Sequence, residues 1–204
     1  MNLVHRWLCR SASWRETLKT RFPWSIENVA LGSCVLEFGP GYGLTTELLL
    51  PVAKSLTCVE IDPKLAARLQ GRLSGTAVRV LCEDATHTSL PDASFDAVVC
   101  FTMLHHVPSV EKQDGLLREA ARVLRPGGVF AGSDSLVSLR FRVLHLGDTM
   151  VPVDARTFPA RLRAAGFVDV EVQTNQRAFR FRARKPEVAP VTSAVTGEEE
   201  HVHR

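Results

Sequence analysis

The chain has 204 residues, 45% of them hydrophobic, and a formal net charge of +3, which suits one domain around one sizeable core and does not call for a nucleic-acid partner. No apolar run is long enough to span a bilayer, and Arg6 and Arg10 interrupt the N-terminal stretch, which argues against a signal peptide. Five cysteines without a C-x-x-C pair predict reduced thiols and a cytoplasmic protein; Cys34, Cys58, Cys82 and Cys100 fall in or beside predicted strands and are expected to be buried rather than bound to zinc or oxidised.

Residues 1–30 read as a helical segment, with Trp7, Leu8, Trp14, Leu18 and Phe22 as packing residues and Pro23 marking its end. Short apolar runs then alternate with helical patterns. Strands are predicted at 33–38, 56–61, 77–82, 95–101, 127–133, 167–173 and 177–184, and helices at 44–52, 63–73, 111–124 and 155–165. Such alternation is the pattern of βαβ units and a mostly parallel sheet. Asp62-Pro63 supplies a cap and a first-turn proline, Pro126-Gly127-Gly128 stops a helix, and Gly166 follows another. Only Thr174 to Gln176 separate the last two strands, so they form an antiparallel hairpin. The expected fold is therefore α/β: a Rossmann-like, seven-stranded, mostly parallel sheet with helices on both faces and a C-terminal hairpin. Residues 31–185 form the main domain, 134–154 a short lid, and 186–204 a disordered tail. Between 140 and 185, ten Arg or Lys face four Asp or Glu, which is read as the solvated faces of the last helix and strands.

The segment Val35-Leu36-Glu37-Phe38-Gly39-Pro40-Gly41-Tyr42-Gly43 is a strand that ends in an acid, breaks into alternating glycines and leads into a helix. Open α/β sheets bind nucleotide-like cofactors at such units. The glycine spacing is one residue short of the dinucleotide fingerprint, and the P-loop pattern is absent. A second strand ends at Cys58-Val59-Glu60-Ile61-Asp62, about 20 positions after the glycines, a spacing that places a carboxylate on a ribose. Glu60 holds the strand-end position, while Asp62 is better suited to cap the next helix.

The pattern E-x-G-x-G-x-G resembles motif I of class I S-adenosylmethionine-dependent methyltransferases. Further segments match that family in order: Leu81-Cys82-Glu83-Asp84-Ala85, Leu90-Pro91 with Phe95-Asp96-Ala97-Val98, and Leu104-His105-His106-Val107 followed by Arg122-Val123-Leu124-Arg125-Pro126-Gly127-Gly128. The last combination resembles the small-molecule branch that includes ubiquinone and menaquinone biosynthetic enzymes. The resemblance spans roughly residues 30–173. It implies S-adenosylmethionine as cofactor, with Gly39, Gly41 and Gly43 forming the loop and Glu60, beside Ile61, on the ribose hydroxyls. Asp84 and Ala85 would meet the adenine, Phe101 the methionine portion, and Glu37 the methionine ammonium, directly or through a water.

No metal is expected. The implied partner is a small-molecule methyl acceptor, with an O, N or C nucleophile. His105 and His106 are the candidate general bases, and His145 in the lid is a further one. The glycine and Glu60 segments also resemble ribosomal RNA adenine dimethyltransferases. Those enzymes carry N-P-P-Y or a near variant where this chain has Cys100-Phe101-Thr102-Met103, so base methylation is disfavoured. A non-catalytic cofactor-binding scaffold is the reading from a different class.

Overall fold

The computed structural model describes residues 7–187. Residues 1–6 of the N-terminal segment, and the expected tail from 188 onward, lie outside the described residues. The elements are α1 (Ala12–Ser25), β1 (Cys34–Phe38), α2 (Leu44–Leu49), β2 (Ser55–Val59), α3 (Pro63–Arg72), β3 (Val78–Leu81), β4 (Phe95–Phe101), α4 (Val110–Val123), β5 (Leu124–Ser135), α5 (Leu139–Leu144), α6 (Phe158–Ala164), β6 (Val168–Thr174) and β7 (Ala178–Arg184). The strands form one seven-stranded sheet in the order β3-β2-β1-β4-β5-β7-β6. The first five run parallel to one another, and β7 runs antiparallel to both β5 and β6.

The central strands β1, β2 and β4 are buried almost throughout because the sheet is covered on both faces there, whereas β6, at the edge, is mostly exposed. Alternation along β1 sends Leu36 and Phe38 to the cluster beneath α4, with Phe130 and Leu116, and Val35 to the opposite cluster with Leu49 and Phe101. Glu37 shares the Val35 face and is 1% exposed. Its carboxyl accepts hydrogen bonds from the Thr45 hydroxyl at 2.5 Å and the Thr46 hydroxyl at 2.6 Å, which ties the strand to α2.

Most expected boundaries shift by a few residues, each for a local reason. Pro51 follows α2 closely, and the helix closes at Leu49. Helix α6 begins at Phe158 rather than 155, because Asp154 first makes a turn with the Arg156 amide. Pro23 does not end the N-terminal helix but lies inside α1; in the last turn it removes only one backbone bond, and the Ile26 amide closes the helix on Phe22 and Trp24. Cys82 is exposed, not buried, because β3 is an edge strand and Cys82 lies just beyond its end; all five cysteines are free. Helix α1 docks on the sheet through Phe22 against Phe101, with ring centroids 5.4 Å apart, and through Ser25 and Ser133 hydroxyls 2.8 Å apart. Three arginines of the C-terminal third are paired, Arg161 with Asp114 of α4, Arg180 with Glu27 after α1, and Arg182 with Glu171 of the adjacent β6. Among the described residues, no helix is long and apolar enough to cross a membrane.

A buried acid fixes the loop that follows β3. Glu119, on α4, accepts the amide and hydroxyl of Thr88 at 2.8 and 2.6 Å and is bound by the Arg122 guanidinium. Burial opposes the charge, but the bonds from Arg122 and Thr88 prevail and bring the carboxyl from 4.5 down to about 2. A depressed pKa contributes stability at neutral pH that is lost as pH falls through the folded value. Glu119→Gln is therefore expected to lower stability by about 2 kcal/mol at pH 7. In urea denaturation, its deficit against the parent protein should hold above the ordinary carboxylate range and shrink between pH 4.5 and 2.

Candidate active site

The cavity lies at the carboxyl ends of the parallel strands, where β1 and β4 are neighbours and the chain leaves for opposite sides, the position at which doubly wound sheets bind ligands. Its volume is about 470 Å³, within the range of small-molecule sites. One end is lined by the glycine loop, Glu60, Ile61, Asp84, Ala85 and Phe101. The other end is lined by Trp14 and Leu18 of α1, Phe141 and Leu144 of α5, and His105, His106 and His145.

The glycine loop turns through left-handed backbone. Gly39 has φ +64°, and a Cβ there would sit 2.8 Å from the Met103 side chain, so the position excludes any other residue. Gly41, with φ +55°, has nothing within 4 Å of where a Cβ would be, so its bare backbone borders open space on the ligand side. Gly43 caps α2 and, like Glu37, is not among the cavity-lining residues.

Glu60 is 6% exposed and reaches across to the loop. One carboxylate oxygen accepts the Gly41 amide at 2.8 Å and the other the Asp62 amide at 3.0 Å. Burial raises its pKa above the ordinary value, against the pull of those amides. Asp62 caps α3 by accepting the Lys64 and Leu65 amides. Half-buried Asp84 accepts the Thr86 amide at 2.9 Å and lies at the cavity wall beside Ala85, whereas Glu83 turns to Ser89. Ile61 is 66% exposed at the cavity edge, where its side chain offers an apolar surface beside Glu60. The set fits a nucleoside: a two-oxygen acceptor for a diol, an acid and an amide for a base edge, and an apolar wall.

Beyond β4 the backbone reverses at Thr102, whose φ of +52° is costly for a β-branched residue. This turn carries the single helical turn Leu104–His106 back toward β5. His105 is 3% exposed, and its Nδ1 lies 2.6 Å from Asp134 Oδ1 at the end of β5; the His105 amide donates to Asp134 Oδ2 at 3.1 Å. Burial disfavours the Asp134 charge, but the interactions with His105 and the Ser135 amide hold its pKa below the ordinary carboxylate value. An ionised carboxylate only accepts, so Nδ1 of His105 donates to Asp134 and Nε2 is the ring nitrogen left for other partners. Cys9 also borders the cavity; burial and the charge of Asp148 push its thiol up to about 11, so it is not an activated nucleophile.

Residues 36–132 match the family profile described as a methyltransferase domain. The chain carries a methyltransferase domain. An uncharacterized methyltransferase of Mycobacterium bovis is 36% identical over 104 residues, 50% of this chain and 51% of that protein. A ubiquinone biosynthesis O-methyltransferase of Xanthomonas oryzae pv. oryzae is 35% identical over 100 residues, 48% of this chain and 41% of that protein. The match thus spans about half the length, or less, of these relatives. Among solved structures, the N-methyltransferase NodS of Bradyrhizobium japonicum, in complex with S-adenosyl-L-homocysteine, is 22% identical with a TM-score of 0.67, over 88% of this chain and 91% of that one. That likeness is one of fold.

Two residues of the methyltransferase domain's surroundings escaped sequence reasoning. Asp134 was read as the start of the lid; the signal available was an acid at the end of the strand that follows β4. Gln113 is fully buried on α4, and its amide donates to the carbonyls of Leu104 and Val151 while accepting from Arg161. It staples the end of the lid segment to the turn that bears His105. Gln113→Leu removes one bond from the Leu104 carbonyl, which keeps the Val107 amide, one from the Val151 carbonyl and the acceptor for Arg161, and is expected to cost about 2–3 kcal/mol in chemical denaturation. It should also increase hydrogen exchange at Val151, whose amide donates to the His105 carbonyl at 2.8 Å; unchanged exchange there would mean that Gln113 does not anchor the lid.

Proposed function

We propose that the protein transfers a methyl group from S-adenosylmethionine to a hydroxyl of a small, largely apolar acceptor. The observation that carries this reading is the His105–Asp134 pair, 2.6 Å apart, whose histidine lines the same cavity as Glu60 and the glycine loop. Bound S-adenosylmethionine supplies a methyl already activated on a cationic sulfur. Glu60 holds the ribose hydroxyls, the glycine-loop backbone lets the cofactor approach, and Asp84 with the Ala85 amide holds the adenine edge. Glu37, bonded to Thr45 and Thr46, shapes the loop from behind the cavity wall. His105 takes the acceptor's proton at Nε2, while Asp134 orients the ring and stabilises the charge it gains. Trp14, Leu18, Phe141 and Leu144 exclude water from the acceptor end.

In this reading residues 31–185 hold the cofactor and the N-terminal helix caps the acceptor side. The free thiols fit a cytoplasmic setting. The similarity of the central domain to a ubiquinone O-methyltransferase supports an oxygen nucleophile. Nothing in the site favours methylation of an RNA base: Thr102 and Met103 stand where the base-gripping motif would be.

Calorimetric titration tests the cofactor assignment. S-adenosylmethionine should bind and NAD should not, and Glu60→Ala should weaken binding at least about 100-fold through loss of two charge-assisted hydrogen bonds. A folded protein with no affinity for S-adenosylmethionine would refute the reading. Asp134→Asn is expected to lower kcat about 100-fold or more with hydroxyl acceptors while sparing cofactor affinity. Equal losses in both would reduce Asp134 to a purely structural residue.

A further inference from the structure

Three histidines meet at the acceptor end of the cavity. One ring nitrogen from each of His105, His106 and His145 lies within 4.8 Å of the others. Their ring centroids are 4.1, 5.0 and 5.4 Å apart. The outer contacts of the rings repeat a single pattern. Nδ1 of His105 faces the Asp134 carboxylate at 2.6 Å, Nδ1 of His145 the Phe141 carbonyl at 2.7 Å, and Nδ1 of His106 the Thr149 carbonyl at 3.3 Å. Carbonyl and carboxylate oxygens only accept, so each Nδ1 donates outward and Nε2 is the nitrogen that a metal ion would use. Metal-binding histidines are oriented in this way, through a carboxylate or backbone carbonyl on the far nitrogen.

We propose that His105, His106 and His145 form a binding site for a divalent transition-metal ion of the zinc class. Three imidazoles suit Zn²⁺, Co²⁺, Ni²⁺ or Cu²⁺ rather than the hard ions Mg²⁺ and Ca²⁺. With Zn–N bonds of about 2.0–2.1 Å, tetrahedral ligand nitrogens stand about 3.3 Å apart. With the nitrogens within 4.8 Å of one another, the rings need to close by at most about 1.5 Å, which side-chain rotation at the end of α5 can supply. Three protein ligands leave a fourth position, and because all three rings line the cavity it opens toward the acceptor. The site also joins separate parts of the fold. His105 and His106 lie on the turn after β4, whereas His145 closes α5, whose Leu139 and Val143 are exposed on the outer side. An ion here would clasp the lid to the sheet. It would also take the lone pair that a proton takes at Nε2 of His105, so ion binding and base catalysis exclude one another at that ring.

The proposal does not rest on methyl transfer, and its test uses the full chain without S-adenosylmethionine. Titration of the metal-free protein with ZnCl₂ should give one ion per chain, and the Co²⁺-loaded protein the intense visible absorption of a four-coordinate ion with nitrogen ligands. His106→Ala and His145→Ala, each checked for folding by circular dichroism, should each weaken Zn²⁺ binding at least about tenfold and lose the Co²⁺ absorption. His145→Gln replaces His145→Ala if the latter does not fold. Zinc should raise the Tm of the parent protein and not that of the variants. No zinc binding overturns the proposal. So does binding unchanged in both variants, or a Co²⁺ spectrum dominated by thiolate charge transfer, since either would put the ion at the cysteines or elsewhere.

Discussion

The left-handed turn at Gly39 and Gly41 is the constraint on which the site depends. It lets β1 end against Met103 with no side chain between, and it points the Gly41 amide at Glu60 rather than into the sheet. That bond, with the Gly39 amide donating to the Val59 carbonyl at 2.9 Å, fixes the two sides of the cofactor end relative to each other: the loop after β1 and the acid after β2. A side chain at Gly39 would push Met103 away, and with it the turn that carries His105. The glycine loop and the histidine turn lie on neighbouring strands of a rigid sheet, so a distortion in one reaches the other.

Three carboxyls around the cavity show how environment divides the work among chemically similar groups. Glu37 is bonded only to hydroxyls and a distant thiol, and burial raises its pKa. Glu60 has two amides but is also raised by burial. Asp134, just as deeply buried as Glu37, is lowered because an imidazole faces it. The first two gain from a positive charge brought near them, which is what a sulfonium and an ammonium would provide. Asp134 already has its partner and is committed to orienting it. The acids that favour a cationic ligand are thus separate from the acid that orients the histidine.

How much of this could be read in advance follows from how local each signal is. The seven strands, the glycine loop and Glu60 each depend on a short run of sequence and the alternation of a covered sheet, so residues 33–101 are legible almost throughout. The exposure of Cys82 required knowing that β3 is an edge. The Asp134–His105 contact joins residues 29 apart and depends on β5 lying beside β4, a pairing that the strands themselves do not announce. Gln113 reads as an ordinary polar residue on an amphipathic helix, yet it is fully buried because the Val151 segment folds over it. The clustering of His145 with the other two rings depends on the path of the lid, where the sequence offers no periodicity.

The strained backbone at Thr102 links these levels. A residue that turned there in an ordinary conformation would send the chain away from β5 and separate His105 from Asp134. The Thr102 amide donates to the Ser133 carbonyl at 2.8 Å, so the turn is held by the same strand that carries Asp134 one residue later. Holding a β-branched residue in the left-handed region costs about 1–3 kcal/mol. The fold sustains it with a buried imidazole–carboxylate pair that has no place in a purely apolar core. Cofactor and acceptor ends are therefore coupled through the ends of β1, β4 and β5, and the lid and the N-terminal helix are tied to that frame through Gln113 and through the Ser25–Ser133 bond.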